Sequence, residues 1–560
     1  MLKKDIQIVS YNGLLEDSIR KHWNRNSLSD YGLETLKYKD VAAYVEELHI
    51  LFETCGIEKG DKIALCGRNV SRWGVAYVAI LTYGAVAVPI LHEFHPQQVH
   101  DIVNHSEAKL LFVGDLVWRK LNGDAMGQLQ GIISLADYSV LLSRSEKLSN
   151  AGEHLLELFG ERYPKEFTPD CIHYHRDKPD ELALINYTSG TTSNSKGVMI
   201  PYRALWSNYD FAVQVMGDHL KPGCNTLSML PLAHMYGMAF EFSFEFLWGM
   251  HIHFLTRAAS PTVLLGALGE IKPSILIVVP LILEKVVRRA ILPRISSPTM
   301  KLLLRTPVVG DKIRTRLCKA LTDALGGRFY QVIIGGAALN QEIEMLLHSI
   351  GFKYTIGYGA TECAPIICYE DYKMLKLGSC GKPVVNMELK INSEDSLHNA
   401  GEILTRGLNV MLGYYKNEEA TRQTLDEEGW YHTGDLGIQD EDGNVYIKGR
   451  IKNMLLGANG QNIYPEEIED KLSNMPLVTE CVVIQKDEKL YGLVYPDVDA
   501  IKKDHLTEEK VNATMDENRK TLNQLLPTYS QLHGIKIMKE EFQKTPKKSI
   551  KRYLYMDEEI

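Results

Sequence analysis

Nowhere in these 560 residues do two cysteines stand at C-x-x-C spacing; the nine are an odd, scattered set whose nearest pair is Cys363 and Cys368. That absence argues against a structural zinc site or a disulfide frame and fits reduced thiols in a cytoplasmic protein. A basic surplus is also missing. The 62 Lys and Arg against 71 Asp and Glu leave a net charge of −9, which excludes a dedicated nucleic-acid binder but not a local basic patch. The start, MLKKDIQIVSYNG, lacks the apolar core of a secretory signal. The longest apolar stretch, residues 75 to 91, stops short of a membrane span. Gly84 and Pro89 divide it into a buried helix, a turn and a short strand. Internal repeats and low-complexity tracts are absent as well. What remains is an ordinary globular composition, 45% apolar and 24% charged, in a chain too long for one core.

The pattern along the chain is an alternation. Short apolar strands such as DKIALCG, AKLLFVG, LALINYTSG, PSILIVVP and RFYQVIIGG each run into a Gly- or Pro-rich turn, with helical periodicity between them. This predicts α/β layers with parallel strands, whose ligands gather at the strands' carboxyl ends. After about residue 385 the texture turns β-rich. From NIYPEEIEDKLSNMP onward a small α+β unit follows, ending in a basic tail. The expected architecture is a large α/β domain with a β-rich subdomain, 1–450, and a small C-terminal domain, 451–560.

Residues 187–202, YTSGTTSNSKGVMIPY, follow a buried-looking strand and crowd small hydroxyl and glycine residues beside one cation. Backbone N–H groups converge on an anion only where side chains are small, so the loop reads as a phosphate cradle. A Walker A loop is excluded: counting from Gly190, Ser195 stands at the second glycine and Gly197 replaces the magnesium-holding hydroxyl.

The loop resembles the phosphate-binding motif of the adenylate-forming, AMP-binding superfamily, which includes acyl-CoA synthetases, luciferases and peptide-synthetase adenylation domains. LPLAHMYG (230–237), GGAAL (335–339), YGATE (358–362), WYHTGD (430–435) and GRIKNMLLGANGQNIYPEEIE (449–469) accompany it in the family's order. The resemblance spans nearly the whole chain. It implies that Thr188, Ser189, Gly190, Thr191 and Thr192 offer donors to the ATP phosphates, with Lys196 as countercharge. Gly336, Ala337, Tyr358, Gly359 and Ala360 would line the ATP site, Tyr358 offering the adenine a flat face, and Thr361 would reach the α-phosphate. Glu362, with Thr188, would hold Mg²⁺, a hard cation that takes few carboxylates plus phosphate oxygens. Asp435 and Arg450 would meet the ribose and phosphate, Lys452 would be the hinge of a mobile small domain, and Gly460 would approach the pantetheine arm of CoA.

Two places depart from the family pattern. Ser193 and Ser195 replace the loop's usual Gly and Pro. In the tail KTPKKSIKR, aligned on Thr545, Ile550 and Arg552, Ser549 stands where the catalytic lysine is expected. Lys548 takes that role by a one-residue shift, Lys551 takes it, or adenylation runs without it; Lys548 is the favoured reading.

His234, Tyr236 and Gly237 open a Met- and aromatic-rich segment that resembles the family's acyl site. No charge early in that segment would receive an amino group, which disfavours an amino-acid substrate. Residues 275–365 look most like the bacterial long-chain fatty acyl-CoA synthetase branch. The implied activity is activation of a long-chain fatty acid with ATP and transfer to CoA. Open alternatives are an aryl acid, an acyl carrier protein acceptor, or a nucleotide- and lipid-binding relic. Segment 284–320, basic and interleaved with apolar residues, is a candidate for peripheral contact with the inner face of the membrane; a solvated helix face is its plainer reading.

Overall fold

The computed structural model describes residues 7–188, 195–256, 261–295, 297–457, 461–545 and 549–560. An eight-stranded sheet runs, edge to edge, Gly413–Tyr414, Gly197–Pro201, Leu182–Tyr187, Val86–Ile90, Lys62–Cys66, Leu110–Val113, Gly131–Ser134 and Val140–Ser143. Its central strands are parallel, and the helices Tyr38–Thr54 and Ser71–Tyr83 pack beside them. The apolar stretch 75–91 is divided as its Gly and Pro suggest. The helix stops at Tyr83, Gly84 takes a left-handed conformation at φ 88°, and a strand fills Val86–Ile90. All nine cysteines are free thiols, and no helix among the described residues is long and apolar enough to cross a membrane.

The expectation of parallel strands fails where the phosphate loop sits. Leu182–Tyr187 and Gly197–Pro201 are antiparallel partners, Tyr187 opposite Gly197, so the loop caps a hairpin rather than a strand-to-helix turn. Apolar alternation marks a buried strand without marking its direction, which is set by where the chain returns.

A second core surrounds the three parallel strands Leu276–Val278, Val332–Ile334 and Tyr354–Ile356. The four antiparallel strands Met387–Asn392, Gly401–Gly407, Tyr431–Gln439 and Val445–Arg450 form the β-rich part. Beyond residue 450 the apolar residues pack among themselves, with Ile468 and Leu472 of the helix Pro465–Leu472 set against Val483 and Val494 of a three-stranded sheet. Polar contacts join this unit to the rest: Asn340 Nδ2 donates to Asp470 Oδ1 at 3.1 Å, and Lys448 meets Glu467 at 3.1 Å.

Candidate functional site

Four motifs far apart in sequence converge. The Thr188 N–H donates to the Lys196 carbonyl at 3.0 Å, closing the base of the hairpin that carries the phosphate loop. Ser189, Gly190, Thr191, Thr192 and Ser193 lie outside the described residues. The Lys196 ammonium stands 4.7 Å from the centre of the Tyr414 ring. The Tyr414 hydroxyl donates to Glu362 Oε1 at 2.9 Å, and the Met411 N–H donates to the Glu362 carbonyl at 2.9 Å. One tyrosine therefore holds both the cation and the carboxylate. Burial and the neighbouring Glu362 push its phenol up, so it remains a donor. Glu362 is the middle residue of a short 3-10 turn, Thr361–Cys363, in which Thr361 is buried.

Beside it, Tyr358 donates to Asp435 Oδ2 at 2.7 Å, and Arg450 Nε meets Asp435 Oδ1 at 2.9 Å. Asp435 and Arg450 face each other across paired strands. Burial raises the Asp435 carboxyl, and Arg450 followed by the Tyr358 hydroxyl opposes the rise. Lys452 is shifted down, first by burial, then by Arg450, with Asp435 working against both. Gly359 is required sterically: a Cβ there would run into the Pro365 carbonyl. The Ala360 N–H donates to that same oxygen at 2.9 Å.

The acyl-site candidates form the adjoining wall. Tyr236 is buried, its hydroxyl donating to the Ile333 carbonyl at 3.1 Å, and its ring lies where a Cβ on Gly335 would come within 2.9 Å. LPLAHMYG and GGAAL therefore touch. Gly336 has φ +86°, and Gly336 and Ala337 are exposed. His234 Nδ1 accepts from the Tyr236 N–H at 3.2 Å, and a Cβ on Gly237 would meet the Pro231 carbonyl at 2.7 Å. Asn186, two residues before Thr188, donates to the Ala233 carbonyl at 2.9 Å and ties this segment to the strand that carries the phosphate loop.

The sequence reading missed several of these residues. Tyr414 sits in an ordinary LGYYKN stretch, and only the pairing of Gly413–Tyr414 with Val198–Met199 brings it to the loop. Glu241 is buried, its Oε2 accepting from the Met229 and Leu230 N–H groups at 3.0 and 2.8 Å. Charged residues within the Phe-rich run were the available signal. Gly460 and Lys548 lie outside the described residues. The flanks of Lys548 are held together, however, with the Thr545 N–H donating to the Ser549 carbonyl at 2.8 Å. Arg552 anchors the tail, forking onto Glu469 at 2.6 Å twice.

Residues 15–415 match the family described as AMP-binding enzyme. The chain belongs to that family. As an AMP-binding enzyme it is 30% identical over 460 residues to the long-chain-fatty-acid–CoA ligase FadD15 of Mycobacterium bovis, covering 78% of this chain and 73% of that one. It is 28% identical over 545 residues to a probable acyl-activating enzyme 16, chloroplastic, of Arabidopsis thaliana, covering 82% and 72%. Among solved structures it resembles the anthranilate CoA ligase AuaEII in complex with anthranoyl-AMP (TM-score 0.78, 20% identity, 99% of this chain and 98% of that one). It also resembles the o-succinylbenzoate CoA synthetase of Bacillus subtilis in complex with ATP and magnesium ion (TM-score 0.73, 20% identity, 97% and 99%). At such identities these two likenesses show the fold.

Proposed function

We propose that this AMP-binding enzyme is an ATP-dependent ligase that activates a long-chain fatty acid and transfers it to coenzyme A. The observation that carries the reading is the joint hold of Tyr414 on Lys196 and Glu362. The named activity of the FadD15 relative supports the substrate class.

In the first half-reaction a carboxylate oxygen forms a bond to the α-phosphorus, the bond to the β-phosphate bridge breaks, and pyrophosphate leaves. A carboxylate and a triphosphate repel, so the site's work is charge compensation and in-line placement. Lys196, exposed at the loop's base, meets the phosphates. Thr361 donates to the α-phosphate, Tyr358 flanks the adenine, and Asp435 with Arg450 orients the ribose. In the second half-reaction the CoA thiolate attacks the acyl carbon and AMP leaves with the electron pair.

The donor set fits Mg²⁺. Among the described residues there is no cluster of three or more His, Cys, Asp or Glu that could cage a metal. Glu362 commits Oε1 to Tyr414, while Oε2 accepts no hydrogen bond from the described residues. A single carboxylate plus phosphate oxygens, joined in this reading by the Thr188 hydroxyl, is what a hard divalent ion takes beside a nucleotide. The ion would neutralise phosphate charge when ATP is bound.

The small domain, 451–560, turns about Lys452 in this reading. It brings the tail to the carboxylate for adenylation and Gly460 toward the pantetheine arm for transfer. Lys548 is the tail's cation in this reading. Segment 284–320 belongs to the same reading as the side that meets lipid, since a long-chain acid resides in bilayers.

The test is pyrophosphate release from Mg-ATP across acids from acetate to palmitate, with benzoate included, each with and without CoA. Release should peak with a long-chain acid and turn over repeatedly only with CoA. Lys548→Ala should lower the rate about 10²–10³-fold, with Lys551→Ala near wild type. Release with no acid in the panel would overturn the reading.

A further inference from the structure

Segment 284–320 carries ten Lys and Arg against two acidic residues, in a chain of net charge −9. The structure shows how that segment is arranged. The helix Pro298–Leu304 turns through Arg305 and Thr306 into the helix Pro307–Ala324. Gly310 lets the two close together, since a Cβ there would meet the Leu304 carbonyl at 2.6 Å. Arg314 fastens the corner, donating to the Leu304 carbonyl at 2.7 Å and to Asp311 at 2.9 Å.

The inward side of this corner is accounted for, with Leu317 and Leu321 buried in the second core and Leu304 and Ile313 packed against it. The outward side is not. Leu302, Leu303, Val308 and Val309 flank the turn with 65, 36, 68 and 46% of their surface in solvent. Around them stand Arg305, Lys312 and Arg316, exposed and without a carboxylate partner among the described residues. Arg289 and Arg294 extend the same basic run on the preceding helices, likewise exposed.

We propose that this helical corner is a docking surface for an anionic lipid bilayer, with the four aliphatic side chains entering the headgroup–acyl boundary and the ring of cations meeting lipid phosphates. Three features favour a membrane over a protein partner. The apolar tip is small and purely aliphatic, without the Tyr and Trp that anchor protein interfaces. Four apolar side chains at one turn are far fewer than the roughly 20–30 residues a side of a stable protein interface. The corner's charge opposes both the anionic lipid surface and the sign of the whole chain, so the rest of the molecule is held off the bilayer while this corner is drawn in. The surface rests on the ligase reading only for its purpose, collection of the acid; lipid binding itself requires neither ATP nor substrate.

The test is flotation of the full-length protein with vesicles of phosphatidylcholine alone and of phosphatidylcholine mixed with phosphatidylglycerol. The protein should float with the mixed vesicles, weaken with added salt, and stay behind with the neutral ones. Leu302→Asp with Val308→Asp, and separately Arg305→Glu with Lys312→Glu, should each lower partitioning by about tenfold or more. Thermal melting and adenylation of octanoate, supplied as free monomer, should stay unchanged. Wild-type protein that ignores the anionic vesicles, or variants that float like wild type, would overturn the proposal. So would a wild-type dimer that the aspartate pair converts to monomer in sedimentation, because the corner would then meet a second copy. Intact flotation without any acid-dependent pyrophosphate release would remove the ligase reading and leave the docking surface standing.

Discussion

Asp435 engages both carboxylate oxygens in this structure, one with Arg450 and one with Tyr358. A carboxylate offers about four lone-pair positions, so each oxygen keeps roughly one, which in the proposed ligase accepts from a ribose hydroxyl. Asp435→Asn turns one acceptor into a donor and removes the charge opposite Arg450. The expected result is an ATP KM raised about 10–100-fold with a smaller change in kcat, read from pyrophosphate release against ATP concentration. Tyr414 separates two contributions. Tyr414→Phe keeps the ring beside Lys196 and removes the donor to Glu362, and should slow adenylation about tenfold. Tyr414→Ala removes both and should slow it further. Equal rates for Tyr414→Phe and wild type would show that Glu362 needs no such support.

At the scale of elements, Asn340 does two things at once. Its Oδ1 accepts from the Ile343 N–H at 3.2 Å and caps the helix Gln341–Ser349, while its Nδ2 donates to Asp470 of the C-terminal unit. Asn340→Ala should cost about 1 kcal/mol in denaturant unfolding, the usual worth of such a cap. Asn340→Asp retains the cap but sets a carboxylate against Asp470, whose own carboxyl is already raised by burial. Its stability should approach wild type only at acidic pH, where the two carboxyls share a proton. The ratio of adenylation to thioester formation should change, because the contact between the two units is what has been altered. A stability loss at acidic pH equal to that of the alanine variant would mean that the cap does not survive.

Across the whole molecule, pH acts through carboxyls buried in the large core. Glu245 is pushed up from 4.5 to about 8 by burial, with the Thr226 hydroxyl donating to it at 2.7 Å. Glu241, one helical turn earlier, is also raised, first by burial. Between pH 4.5 and about 8 the folded chain keeps the Glu245 proton that the unfolded chain has released. Stability is therefore fullest below that window and falls as pH rises through it. The wild-type melting temperature should drop from about pH 5 to about pH 8, and Glu245→Gln should flatten the drop. Parallel slopes for the two proteins would show that Glu245 does not carry this proton.

Family and chemistry were legible in the chain because phosphate cradles and close backbone approaches restrict residue type locally. Gly359 has no room for a Cβ, and Thr361 and Glu362 follow it after a single alanine, so YGATE identifies itself. The alternating apolar runs likewise marked strands such as Lys62–Cys66 and Val332–Ile334, since burial on both faces leaves a continuous hydrophobic trace. Periodicity carries no strand direction, so the antiparallel hairpin under the phosphate loop had to be decided by the tertiary fold. The same holds for Tyr414 between Lys196 and Glu362, for Asn186 tying the acyl segment to the loop strand, and for the solvent-facing side of Leu302 and Val308. Each depends on which distant segment lies opposite, or on none lying there, and that is a property of packing rather than of any local stretch of sequence.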